Sequence, residues 1–584
     1  MPAKPSGEVK TRIVHVPQKN GDTYVIERQT IYIPEKKYNK VISSRLIAKI
    51  PKGGENPVPT RPKSGAGKKN AGKAPNLSAR RVHVGMMDII GHIGTVSGID
   101  AGIYGATDLG TAQKIISLAR YLLATDGQSL PGILTWQYNH PLPYTQGLSE
   151  AVYHNLFAQV GRDESLQQNF FKSRCEGLGK MSALAYDSTT ISTYSGSQIE
   201  ARYGYNKADD GLKTVKLLTL YSVDARQPIA FTKQPGNIPD VLTVKNSLRQ
   251  LSALGLDAAE VVTDNGYYSE QNLAEMFCAG YHFLTLVKTN LKWVRKEIDS
   301  HMAELTSIGS ACPSDPGIHG ITVKLMHAFK KERKYASGKK GLSKGDQETF
   351  SRRVYLSIYF SLERQNQDRM AFEADLMELK AVVESGIPME ELPRRSQEKA
   401  EKYLAIRHWG SKVTASFNDR ACQEAYRYHG FFALVSDKEK EAFECLRKYR
   451  KRETIESFFE AGKQHADGTR IRVWDTDTLR GRMFVQFVAL CYYEYYSNEI
   501  RKLKQLLGEP DGDAAHDTKG NLDDEKELKS WLQNTPIYLQ LQWFDTVENT
   551  AISSELRNKR WSTEITARDA MFLEKLGIQA AWAI

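Results

Sequence analysis

Four residues within 449–463 can do chemistry together: Tyr449, Arg452, Glu456 and Lys463. Steps of 3, 4 and 7 residues return side chains to one face of an α-helix, with about 20° of drift per heptad. The spacing predicts one helix carrying an aromatic, a guanidinium, a carboxylate and an ammonium in a stripe. Ile455, Phe459 and Gly462 make the adjoining apolar stripe, which can press on a core. A carboxylate at a core edge, flanked by two cations, suits metal and phosphate chemistry; a solvated charged face is the plain alternative. Asp187 and Asp264 each stand at the end of a short strand-like run, 182–191 and 259–266. Neighbouring strands bring such ends close. Three converging carboxylates are costly unless cations neutralise them. Two Mg²⁺ ions about 3.5–4 Å apart would do so, and would clamp both oxygens of an in-line phosphoryl transfer. Geometry alone leaves Glu453 and Glu460 as rivals of Glu456 on that helix, although Glu456 lies nearest the apolar face.

The elements that must position these groups read as follows. Strands are expected at 182–191, 213–223, 227–236, 259–266 and 281–287. A turn at 224–227 joins the second and third. Helices are expected at 240–254, with Asp240 as a possible N-cap, and after Ser269 up to Cys278. The order is βββαβαβ: an antiparallel run, then parallel additions through helices. Residues 291–429 interrupt this core as an inserted subdomain, with a strand-like run at 352–360, a helical stretch at 362–385 and another helix near 395–405. Residues 430–436 return the chain to the sheet, and a buried helix is expected over 478–507. The catalytic unit is thus 181–290 plus 430–507. Ahead of it lie a small β-rich segment (1–50), a flexible basic linker (51–81) and a helical module (82–180) with caps at Asp108 and Ser149. Behind it lies 508–584, an acidic loop followed by a helical tail, with 566–576 its clearest helix.

Composition narrows the partners. The 584 residues carry a formal net charge of +11, which favours a polyanion. Six scattered cysteines, none in a Cys-x-x-Cys pair, argue against zinc ribbons and disulfide scaffolds and fit a reducing cytosol. No apolar signal region opens the chain, and the apolar run 483–493 is too short to span a bilayer, so no membrane partner is expected. Gly65-Ala-Gly-Lys68 has Pro62 where a phosphate-cradling loop needs its first glycine, so no nucleotide cofactor is expected.

The spacing Tyr-x2-Arg-x3-Glu-x6-Lys, met here by Tyr449, Arg452, Glu456 and Lys463, resembles the signature of a major group of bacterial insertion-sequence transposases with an Asp-Asp-Glu triad. Asp187-Ser-Thr-Thr190, Gly236-Asn-Ile-Pro-Asp240 and Thr263-Asp-Asn-Gly266 resemble that group's aspartate surroundings, and Ile471-Arg-Val473 and 483–490 fit it too. The resemblance implies a ribonuclease H-like mixed α/β sheet, cutting of transposon ends and joining of 3′ ends to target DNA. It selects Glu456 and implies that Asp187, Asp264 and Glu456 hold two Mg²⁺ ions, with Mn²⁺ as a substitute. Arg452 and Lys463 would grip phosphates, Tyr449 would touch the DNA backbone or a base, and Arg472 is a further DNA-binding candidate beside Arg470. The implied partner is double-stranded DNA, the implied state a homodimer on it, and the implied location the cytoplasm at the bacterial nucleoid. Two rival classes stay open here: a metal-dependent nuclease that does not join strands, and a non-catalytic DNA-binding derivative. In the resembled group the segment between the second Asp and the Glu is rich in β structure; here its middle reads as helical.

Overall fold

The computed structural model describes residues 9–33, 38–59, 78–179, 181–204, 206, 210–257, 259–332, 347–410, 412–465, 470–471, 473–508, 519–553 and 558–579. One large mixed sheet organises the chain. In it, β1 (Ala183–Thr193) pairs antiparallel with β2 (Lys213–Ser222), which pairs antiparallel with β3 (Gln227–Pro235). The chain then forms helix α1 (Val244–Ala253) and returns as β4 (Glu260–Thr263), parallel to β1 on its other side. Helix α2 (Glu270–Cys278) leads to β5 (His282–Val287), parallel to β4. The spatial order β3-β2-β1-β4-β5 is that of a ribonuclease H-like sheet, as expected. The central strands are covered on both faces: Leu184, Ala185, Val261, Val262, Phe283 and Leu284 are all buried.

The region 291–429, expected as an inserted subdomain, falls into two parts. Its long strands β6 (Asp315–Glu332) and β7 (Gln347–Ser361) belong to the same sheet. With the returning strand β8 (Phe431–Ser436) they continue it in the order β5-β8-β7-β6. The physical reason is the outer edge of β5, whose backbone groups need partners. The remainder of the region, helices Leu362–Glu384, Arg394–Tyr403 and Asp419–Tyr426 with a hairpin of Leu404–Trp409 and Lys412–Phe417, packs on its own small core around Leu376, Leu379 and Ala400.

After β8 come α3 (Ala442–Arg450), α4 (Glu453–His465) and the 31-residue α5 (Thr476–Leu506). The Asp475 carboxylate caps α5 by accepting from Thr478 N at 2.9 Å. Phe484 and Phe487 of α5 meet Phe231 of β3, Phe458 of α4, and Phe170 and Phe171 of the helix Glu164–Leu178 in one aromatic cluster. The helix Glu150–Arg162 crosses α5 at backbone distance. A Cβ on Gly161 would lie 1.8 Å from the Asp477 carbonyl oxygen, and one on Gly481 1.9 Å from that of Phe157. Only glycine fits both positions. Asp108 caps its helix as expected, accepting from Gly110 N and Thr111 N, whereas the Ser149 side chain makes no capping bond.

The chain ends also differ from expectation. Of the expected linker 51–81, residues 60–77 lie outside the described residues. Its last part is strand: Ser78–His83 pairs with Glu548–Ser553, itself paired with Asn558–Ser562. The tail is therefore not purely helical, and 519–527, expected as acidic loop, falls in the helix Lys519–Asn534. Among the described residues no helix is long and apolar enough to cross a membrane.

Candidate active site

Strand register brings the two aspartates level. β1 and β4 run parallel with Ala185 opposite Val262. Two residues further along each chain stand Asp187, which lies within β1 and not at its end as expected, and Asp264, just past the end of β4 as expected. Both are met from the same side by the α3–α4 corner. The Tyr449 hydroxyl, at the end of α3, donates to Asp264 Oδ1 at 3.1 Å. Arg452, between the two helices, donates from one terminal nitrogen to Asp187 Oδ2 at 2.7 Å and from the other to Glu456 Oε1 at 2.8 Å. One guanidinium thus joins the carboxylate of β1 to that of α4, and its carbon lies 5.4 Å from the Tyr449 ring centre.

This corner corrects the expected single helix over 449–463. The helix breaks between Arg450 and Glu453. Tight bonds bridge the break: Arg452 N to Tyr449 O, Thr454 N to Lys451 O and Ile455 N to Arg452 O. The bend lets Ile455, Phe458 and Phe459 bury while Arg452 turns inward, 5% exposed. Tyr449 and Arg452 therefore do not share a straight stripe with Glu456, and the polar ends of both are committed to carboxylates. Burial works against the charge on Arg452, yet Tyr449, Asp187, Asp264 and Glu456 hold its pKa above the ordinary arginine range. Tyr449 is shifted upward, chiefly by burial, so it stays a donor.

The three glutamates of α4 are placed differently. Glu456, though half in solvent, shares Arg452 with Asp187. Glu453 and Glu460 are exposed. Lys463 lies in the last turn of α4 and lines a narrow apolar cavity with Thr189 and Ile191 of β1. Arg472 lies outside the described residues, and Arg470 pairs through its backbone with Ser192. A cleft of about 360 Å³ opens beside Glu456, lined by Tyr449, Arg450, Arg452, Arg364 and Phe432.

A second layer was not foreseen. Asp240, expected as a helix cap, accepts instead from Ser188 Oγ at 2.8 Å and Lys216 Nζ at 2.6 Å. Lys216 also donates to Ile238 O at 2.7 Å. These bonds brace the residue next to Asp187. The buried Tyr267 hydroxyl points at Asp187 Oδ1, 3.4 Å away. A charged residue in the interior of the apolar run 213–223 was the available signal for Lys216; nothing local marks Tyr267.

The carboxylates fit hard divalent ions. They offer oxygen donors only, and they already gather a buried cation. The profile of the family described as "Transposase DDE domain" matches residues 178–492, more than half of the chain. No curated protein matches it. Among solved structures, a cryo-EM structure of a piggyBac transposase synaptic complex with hairpin DNA aligns over 75% of this chain and 72% of that one, at 8% identity and a TM-score of 0.34.

Proposed function

The chain belongs to the transposase DDE-domain family, and from that premise we propose that it cuts the ends of an insertion sequence and joins the freed 3′ ends to target DNA. The observation that carries this reading is the meeting of Asp187, Asp264 and Glu456 at one corner, through Tyr449 and Arg452. Asp187, Asp264 and Glu456 would hold two Mg²⁺ ions, or Mn²⁺ in their place, which supply Lewis-acid stabilisation for in-line phosphoryl transfer when bound.

The chain's own residues do the rest. Arg452 keeps Asp187 and Glu456 compensated and aimed at the same point. Tyr449 fixes the Asp264 carboxylate by its hydrogen bond. The Lys216–Asp240–Ser188 chain holds β1 rigid next to Asp187. The cleft beside Glu456 takes a DNA strand, with Arg450 and Arg364 as phosphate contacts. Lys463 and Arg472 are proposed to contact DNA further along. The partner is double-stranded DNA, from transposon ends and target, and the working unit is a homodimer at the nucleoid.

A strand-transfer assay with a labelled transposon end and Mg²⁺ tests the reading. Cleaved and joined products are expected, and Glu456→Gln should lose both while still shifting the DNA in a gel. Cleavage without joined product would identify a nuclease. Full activity of Glu456→Gln at saturating Mg²⁺ would remove Glu456 from the site.

A further inference from the structure

A second cleft, of about 660 Å³, meets the one beside Glu456 at the α3–α4 corner, where Arg450 and Glu453 line both. Its walls are α3, α4, α5 and the turn between β2 and β3. Five basic side chains reach it: Arg226, Arg447, Arg450, Lys451 and Arg501. Arg447 pairs with Glu444, and Arg450 with Asp315 at 3.4 Å. Among the described residues, Arg226, Lys451 and Arg501 form no ion pair. Lys451 feels Asp224 and Glu444 only at longer range.

The two arginines work against each other. Burial and the nearby charge of Arg226 push the Arg501 pKa below the ordinary arginine range. Arg501 Nη1 donates to the neutral Asn498 side chain at 3.2 Å. Like charges in a half-buried wall are a cost unless an anion lies between them. Glu494 shares this wall but is a poor counter-charge: burial pushes its carboxyl up to about 7, and its Oε2 accepts from Tyr221. The backbone gives an independent sign. Arg226 has a φ of 50°, in the left-handed region that glycine and asparagine adopt most easily. An arginine stands there although its side chain makes no hydrogen bond among the described residues. What the position gains from arginine is therefore its charge, presented to the cleft.

We infer that Arg226, Lys451 and Arg501 bind backbone phosphates of the DNA strand that runs on from the cleft beside Glu456, over the α3–α4 corner. The inference rests on the proposed reading that a strand occupies that cleft. Continuity between the two clefts selects DNA over a free anion. Guanidinium forks and an ammonium suit phosphate oxygens, and such contacts position a strand without reading its sequence. The uncompensated pair is a cost in the free protein that the bound phosphates remove.

The test is binding of a labelled DNA duplex of arbitrary sequence by the full-length protein, in chelator so that nothing is cut, over a range of salt. An Arg226→Asn, Arg501→Gln double variant should lower the slope of log affinity on log salt by about 2, and weaken binding at physiological salt on the order of tenfold. Lys451→Gln, on a half-buried side chain, should lower the slope by about 1 and serves alone should the double variant fail to fold. Stability without DNA separates this role from a structural one. Near pH 6, where Glu494 keeps its proton, Arg226→Asn should unfold at a higher temperature than wild type, having lost a repulsion and gained a residue suited to its backbone. Inorganic phosphate should raise the unfolding temperature of wild type and leave that of the double variant unmoved. Unchanged slopes in the double variant and in Lys451→Gln, with DNA still bound, would overturn this site and leave the proposed function standing. A lower unfolding temperature for Arg226→Asn would make that arginine a structural residue and overturn the site as well. A wild-type protein that binds no DNA would remove both.

Discussion

Deleting the Arg452 guanidinium leaves Asp187 and Glu456 facing one another without the cation they share. Breaking a buried pair costs about 3–5 kcal/mol. Glu456 is more than half exposed, so solvent screens its part, and Arg452→Ala is expected to lose about 2–3 kcal/mol. The same argument predicts how the loss responds to metal. A divalent ion supplies the missing charge, so Mg²⁺ should raise the unfolding temperature of Arg452→Ala more than that of wild type. Arg452→Lys keeps the charge but lacks the fork that reaches both carboxylates, and should fall between the two. Thermal unfolding with and without Mg²⁺ measures all three. An Arg452→Ala protein as stable as wild type in chelator would show that the guanidinium does not compensate these carboxylates.

At the scale of elements, α5 is set by backbone contact. The Cβ of Gly481→Ala would sit 1.9 Å from the Phe157 carbonyl oxygen, in a helix that cannot yield without shifting whole. At least about 3 kcal/mol of destabilisation is expected, at the upper end of overpacking costs. Gly462→Ala, in α4, meets only the tip of Leu490 at 3.2 Å, beside a cavity, and should stay within about 1 kcal/mol of wild type. Denaturant midpoints compare the two; equal shifts would mean that the crossing adjusts freely. Local chemistry made much of this scale readable beforehand. The strands of the β1–β5 core and the caps Asp108 and Ser269 follow from neighbours in sequence. The α3–α4 break was not readable, because its reason is a tertiary partner, Asp187, more than two hundred residues away. Asp240 matched a cap locally, yet Lys216 and Ser188 take its carboxylate. Of the β6–β7 hairpin, only the 352–360 part of β7 was readable, for a related cause. Much of its outer half is exposed, so its apolar pattern is weak where pairing alone makes it strand.

Across the whole molecule, α5 joins the helical module to the sheet, and its buried polar groups tie stability to pH. On the module side, Tyr492 donates to Asp100, which also pairs with Arg120. On the sheet side, the Tyr221 hydroxyl of β2 donates to Glu494 Oε2 at 2.8 Å. Burial pushes the Glu494 carboxyl up from 4.5 to about 7, against the pull of Tyr221, Arg501 and Arg226. The folded protein therefore keeps a proton on Glu494 between pH 4.5 and about 7, where the unfolded chain has released it. Because the unfolded chain binds fewer protons in that window, stability from this group is complete below pH 4.5 and is lost as pH rises towards 7. The loss reaches at most about 3.5 kcal/mol, at about 1.4 kcal/mol per unit. Glu494→Gln removes the titration while its amide oxygen still accepts from Tyr221. The two proteins should be of similar stability near pH 5. Near pH 8 the variant should be the more stable by about 2–3 kcal/mol, its advantage growing through the window. A gap in denaturant midpoint that does not change between those pH values would mean that Glu494 does not titrate there, and that α5 carries its charge into the core.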